Sequence, residues 1–394
     1  MDRIIIIGTG LFGLSTADHV RKRYPATPLS IISRPSPLAP SDDIAKIVRV
    51  DYNNVDRMTE AVELQKQWNN DHFTDGYRKI GRVTIFEHGD FATIDQINKA
   101  REKLSLPRRE TSGNELMQDR FGTKTAPESL IYVFNSDDAI VDWELIISQA
   151  RARARAACVD SGGSFYESEV TTLVHDNDKG RIIEVVLKNG VRIQTETAQV
   201  ILATGPWLGQ DLATSGISLP PSGRTPTANG LFAYAVQLND DQAEYFRNRP
   251  IHVEDLSSSA LAKSHMYKAI AWARKFLPAL RGARITSVTS FWDGITQTHD
   301  PIVARHPQLQ NLVCAAGGSF NRAKDLPTIG NIVADVLDGQ PVHDRYGWDP
   351  EMRYSHHDEP SLLSRGDFAA MDEQAKGDLE QGPVVPEQSC LAVI

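Results

Sequence analysis

Six residues near the start, Gly8-Thr9-Gly10-Leu11-Phe12-Gly13, have the types and spacing of a loop that cradles a dinucleotide pyrophosphate. Gly8 allows a tight turn, Gly10 lets backbone approach the phosphates, and Gly13 lets the next helix pack on the strand before it. The helix that follows presents free N–H groups and the positive end of its dipole to an anion. Ser33 stands where the second strand of such a unit usually ends in an acid that holds ribose hydroxyls, and Arg34 follows it. Serine binds a hydroxyl more weakly than a carboxylate does. Ser33-Arg34 also suits a 2′-phosphate, so the motif leaves FAD and NADP open.

These residues need elements to hold them. Ile4 to Ile7 is a β-branched run suited to a buried parallel strand. Leu14 to Tyr24 reads as a helix and Leu29 to Ile32 as a second strand, which is the context the glycine motif requires. Val55 to Trp68, Thr93 to Leu104, Ala139 to Asp160 and Ser264 to Leu280 read as helices. Phe165 to Leu173, Ile182 to Leu187 and Val191 to Thr195 read as a meander. It leads to a strand ending Ala203-Thr204-Gly205-Pro206-Trp207, where small residues let the chain pass close to a bound group. A late strand, Asn311 to Ala316, ends in Gly317-Gly318, and Leu326 to Leu337 reads as a helix with Pro327 at its start. Arg151, Arg153 and Arg155 on one helix read as a solvated face rather than a basic patch.

The 394 residues carry a formal charge of −9, which argues against a nucleic-acid partner. From Glu351 to Ile394 there are nine acids and three bases, so most of that charge sits in the last 44 residues. That stretch has little periodicity and is expected to be disordered. Three cysteines cannot form a disulfide framework, and no apolar run is long enough to span a bilayer. A cytoplasmic monomer with no membrane partner is expected.

The order of these signals resembles the D-amino-acid-oxidase-like FAD-dependent oxidoreductases, and within them the sarcosine oxidase and fructosyl amino acid oxidase (amadoriase) branch. The stretch Ile44 to Tyr52 is similar to the branch's Ile-Val-Arg-x-x-Tyr. Phe291 to Gly330, with His306-Pro307 and Lys324, is similar to its C-terminal flavin segment. The resemblance covers residues 1 to 350 and implies FAD rather than NADP. It implies an α/β fold, with a Rossmann-type FAD-binding domain and a discontinuous antiparallel-sheet substrate domain. Residues 1–60, 139–215 and 286–350 would form the first, and 61–138 and 216–285 the second. It implies oxidation of the C–N bond of an amino acid or secondary amine to an imine, with oxygen as acceptor. Arg49 and Lys324 would bind the substrate carboxylate. Leu11, Phe12, Lys46, Val170, Thr204, Gly205, Trp207, Gly317, Gly318 and Asn321 would join Gly8, Gly10, Gly13, Ser33, Arg34 and Lys324 around the cofactor.

The chain departs from that branch at three places. Phe291 stands where a cysteine links the flavin, so non-covalent FAD is expected. Phe320-Asn321-Arg322 replaces a Gly-His-Gly cradle, and Arg322 would compensate by pairing with a phosphate or carboxylate. Neither Lys263 nor Lys268 matches the lysine that promotes reaction with oxygen. Two other readings follow: a degenerate relative that binds FAD without turnover, and an NADP-dependent dehydrogenase.

Overall fold

A computed structural model describes residues 2–34, 39–69, 73–87, 91–112, 114–121, 130–218, 226–247, 249, 251–254, 280, 284–296, 298–318, 320–348 and 391–393. The chain divides into two compact units. The first contains residues 1–43, 143–229 and 291–354; the second contains 44–142, 230–290 and 355–394. The first boundary falls at Asp43, ahead of the expected residue 60, so Lys46 and Arg49 belong to the second unit.

The first unit is built on a six-stranded sheet. Arg3–Ile7 lies near its middle, parallel to Ala198–Leu202 on one side and Leu29–Ser33 on the other. Leu312–Gly317 runs parallel to Ala198–Leu202, and Pro301–Arg305 closes that edge antiparallel. Phe165–Glu167 closes the opposite edge, pairing parallel with Ile31–Ser33. Ile4 to Ile7 are all buried, as the unbroken β-branched run requires. Ile5, Ile7, Val200, Leu202 and Cys314 share one cluster with Leu173, Ile182, Val185 and Leu187 of a three-stranded antiparallel sheet. The helix Leu11–Arg23 packs against Trp143–Asp160 and Ile329–Leu337.

The second unit is mainly antiparallel. Arg82–Glu87 pairs with Leu130–Asn135, which also takes Thr111–Ser112. Ile251–Glu254 adds a parallel edge. A three-stranded sheet sets Ala139–Asp142 between Ala45–Val48 and Tyr77–Arg78. Helix Val55–Gln67 starts at Asn54, whose side chain accepts from the N–H groups of Asp56 and Arg57.

Three readings change. Ala139 to Asp142 is a strand, and the helix begins only at Trp143, because the alternating segment finds a partner 94 residues upstream in Ala45–Val48. Phe165 to Leu173 splits, with Phe165–Glu167 joining the large sheet and Val170–Asp176 the small one. The last helix starts at Ile329, after a 3₁₀ turn over Phe320–Asp325. The arginines of Trp143–Asp160 are paired, Arg151 with Asp42, Arg153 with Asp18 and Arg155 with Glu167, so they leave no free basic patch. The expected helix Ser264 to Leu280 lies outside the described residues, apart from Leu280. Most of the acidic tail also lies outside them, and Leu391–Val393 pairs antiparallel with Ala235–Gln237.

Gly330 marks a close helix crossing. A Cβ there would lie 2.0 Å from the Ser15 carbonyl oxygen, and the Gly330 N–H donates to Ser15 Oγ at 2.9 Å. Helix propensity alone favours Gly330→Ala by up to about 1 kcal/mol. Overpacking of this kind costs about 1–3 kcal/mol, so the substitution should lower the thermal midpoint; a rise would show that the two helices can move apart.

Candidate functional site

The glycine loop turns at a crowded point of the sheet. Gly8 has φ +112° and donates its N–H to Ile32 O at 2.8 Å. A Cβ on Gly8 would meet the Ala203 carbonyl oxygen at 2.3 Å, and one on Gly13 would meet the Gly8 carbonyl oxygen at 2.0 Å. Only hydrogen fits at either place. Gly10 is the helix N-cap with ordinary dihedrals and no side-chain cap. A Cβ on it would come 3.0 Å from Ser41 Oγ, which accepts the Leu11 N–H at 3.1 Å. The first turn of Leu11–Arg23 holds no acid and its last turn holds Arg21, Lys22 and Arg23, a pattern that leaves the N-terminus open to an anion. Leu11 and Phe12 bury their side chains, which leaves only their backbone to present outward.

Ser33 ends the second strand with its hydroxyl 2.6 Å from that of Thr9. Each hydroxyl keeps hydrogen-bonding capacity for a further partner. Arg34 is drawn away from a phosphate role, since its guanidinium lies 4.6 Å over the Trp207 ring and pairs with Glu169 at 3.2 Å. Beyond Ala198–Leu202, Ala203 donates to Ile7 O, and Gly205 has φ +58°. Among the described residues nothing lies within 4 Å of a Cβ placed on Gly205. Val170 is half-buried and packs on the core. Burial pushes the Asp211 carboxyl up to about 6, against the pull of the Thr204 hydroxyl and the Arg34 charge.

A second crowded turn closes the late strand. Gly317 and Gly318 have φ +79° and +92°. A Cβ on Gly317 would come 2.7 Å from Thr296 Cγ2, and one on Gly318 would come 2.8 Å from Pro301 N. Arg322 is buried and donates to Asp300 at 2.9 Å, Asp325 at 3.1 Å, His299 O at 3.1 Å and Gly318 O at 3.3 Å. It therefore ties the turn to the His299–Asp300 segment, which corrects the expectation that it reaches a phosphate or carboxylate of a ligand. Lys324 is 3% exposed, with Nζ 3.8 Å from Asp325 Oδ1, so it is a buried cation and not a solvated loop lysine. Asn321 lies on the same 3₁₀ turn, and its side chain is not among those described. Phe291 is buried, and Cys314 sits in the core with its thiol pushed up to about 12 by burial.

The first unit thus brings together Gly8, Gly10, Gly13, Ser33, Arg34, Thr204, Gly205 and Trp207, and separately Gly317, Gly318, Asn321 and Lys324. Lys46 and Arg49 stand in the second unit. Lys46 is half-buried on Ala45–Val48, and the Arg49 guanidinium lies 4.3 Å over the Tyr52 ring. Sequence reading missed Ser41, Asp211 and Asp300. Ser41 and Asp300 meet partners 30 and 22 residues away, and Asp211 is distinguished by burial, beside Thr204.

A model of the FAD-dependent oxidoreductase family (DAO) matches residues 3–336. The L-saccharopine oxidase of Schizosaccharomyces pombe is 23% identical over 91% of this chain and 94% of its own. A modified fructosyl peptide oxidase from Aspergillus nidulans superposes with a TM-score of 0.77 at 16% identity, over 94% of this chain and 99% of its own. The fructosyl amine:oxygen oxidoreductase Amadoriase I from Aspergillus fumigatus gives 0.75 at 20% identity, over 95% and 97%.

Asp211 carries a pH signature. Its folded pKa lies above the ordinary 3.8, so the folded state binds this proton more tightly than the unfolded chain does. Stability falls as pH rises from about 4 to 6, and the full penalty, up to roughly 3 kcal/mol, acts above pH 6. Asp211→Asn should raise the thermal midpoint at pH 8 and leave it unchanged near pH 4. Equal gains at both pH values would show that the charge is not the cause.

Proposed function

The chain belongs to the DAO family of FAD-dependent oxidoreductases, and on that premise we propose that it oxidises the C–N bond of an amino acid or secondary amine that carries a carboxylate. The observation that carries the substrate reading is Lys324, a cation held at 3% exposure on the turn that follows Gly317–Gly318. A buried ammonium is costly unless it faces an anion. Asp325 Oδ1 lies 3.8 Å from its Nζ.

The residues fit FAD. Gly8 and Gly13 leave room only for backbone, and the helix N-terminus with Ser41 would hold the pyrophosphate. Thr9 and Ser33 would hold ribose hydroxyls. With Arg34 already engaged by Trp207 and Glu169, the NADP reading loses its anchor. Phe291 has no thiol to offer, so the cofactor is proposed to be non-covalent.

Bound FAD supplies a two-electron acceptor. The protein's part is orientation and electrostatics. Arg49 would grip the substrate carboxylate bidentately and Lys324 would add a point charge. Loss of two electrons and two protons leaves an imine, which water hydrolyses to a carbonyl compound and the free amine. Oxygen, reduced to hydrogen peroxide, is the proposed final acceptor. The names of the relatives support this class, since they are oxidases of saccharopine and of fructosyl amines and peptides. A cytoplasmic monomer without nucleic-acid or membrane partners completes the reading. Among the described residues no helix is long and apolar enough to cross a membrane.

Purified protein should be yellow, and acid precipitation should release the flavin into the supernatant. Under anaerobic conditions one of a panel containing saccharopine, sarcosine, pipecolate and fructosyl-lysine should bleach it. Lys324→Met should weaken that substrate by roughly ten-fold or more, judged from the worth of one charge-assisted hydrogen bond. A flavin that no amine bleaches would favour a relative that binds FAD without turnover.

A further inference from the structure

Arg49 follows Ala45–Val48 in the chain, and both residues after it are tied to buried charges. The Val50 N–H donates to Asp138 Oδ1 at 2.8 Å. Asp138 is fully buried, and its carboxylate also accepts Arg82 Nε at 2.5 Å and Asn135 Nδ2 at 2.8 Å. Asp51, 7% exposed, is gripped by two arginines, Arg101 through one oxygen and Arg109 Nε through the other at 2.8 Å. Arg109 reaches on to Asp137 at 2.8 Å, and Asn98 holds the Arg109 backbone through both its N–H and its carbonyl.

Three carboxylates and three guanidinium groups thus pair with one another in the second unit, and Lys79 joins the network at Asp137. A buried ion network is a poor source of stability, because desolvation offsets much of the Coulomb gain. What it does supply is geometry. An arginine fork crossing two carboxylates has a narrow range of allowed positions. Here the network terminates on Val50 and Asp51, directly after Arg49, while the buried Tyr52 lies beneath the Arg49 guanidinium.

We propose that Asp51, Arg109 and Asp138 are positioning residues that fix the backbone at Val50–Asp51 and so aim Arg49 at the carboxylate of the substrate. The inference rests on the reading of Arg49 as a carboxylate-binding residue. It adds that carboxylate specificity depends on side chains that never meet the substrate.

The test uses holoenzyme titrated with furan-2-carboxylate, an anion with no amine to oxidise, read by the shift in flavin absorbance. Arg49→Ala should weaken its Kd at least ten-fold. Arg109→Lys keeps the charge but loses the fork, and should weaken Kd about three- to ten-fold with flavin content unchanged. In an Arg49→Ala background, Arg109→Lys should cause no further loss, since its effect passes through Arg49. If Arg49→Ala weakens the anion and Arg109→Lys does not, or if the Arg109 effect is equal in both backgrounds, the positioning role is wrong. If Arg49→Ala leaves Kd unchanged, the reading of Arg49 itself fails and the inference falls with it. Should Arg109→Lys fold poorly, Asn98→Ala loosens the Arg109 backbone without removing a charge and serves in the same cycle.

Discussion

The crossing of backbone at Gly8, Gly13 and Ala203 is the constraint on which the first unit depends. Two hydrogens stand where side chains would overlap carbonyl oxygens by more than an ångström, at 2.3 and 2.0 Å. This closeness lets Leu11–Arg23 start directly at the tip of the central strand. It also sets Ala203 to Trp207 beside the same tip, since Ala203 donates to Ile7 O. The open helix N-terminus, the Thr9–Ser33 hydroxyl pair and the Ser41 contact all follow from where that helix begins.

Much of this was legible in the sequence. The strand–glycine loop–helix unit is local, and its residues lie within a few positions of one another. Gly317 and Gly318 were legible too, because a buried strand ending in two glycines signals a turn that needs left-handed backbone. What local reading missed depends on distant partners. Ala139–Asp142 merged with the helix behind it because its strand partner, Ala45–Val48, is far upstream. Arg322 was read as pairing with a phosphate or carboxylate of a ligand because Asp300 lies 22 residues away with no shared motif. The boundary at Asp43 was equally hidden, since it depends on which unit the segment packs into and not on its composition.

The two units handle buried charge differently. In the first, Arg322 is shared between two carboxylates and two backbone carbonyls, and it ties the Gly317–Gly318 turn to the His299–Asp300 segment. His299 has φ +58°, a conformation rarely adopted outside glycine, and its carbonyl is one of those Arg322 holds. In the second, the ions pair mostly with one another. Both arrangements use arginine for its fixed, planar set of donors, which lysine lacks.

The contact between Gly330 and Ser15 joins residues 315 positions apart. Chains emerge from the ribosome N-terminus first, and domains generally fold as units. Here the glycine-loop helix is made about 300 residues ahead of the helix that packs against it. The central strand likewise waits for Ala198–Leu202, and that strand waits for Leu312–Gly317. The first unit therefore cannot close during most of its own synthesis. Its first strand, four consecutive isoleucines behind the exposed Arg3, must be kept from pairing with other chains until the body is nearly complete. That places the aggregation hazard of this protein in the nascent chain and predicts a dependence on holding chaperones that the finished fold does not share.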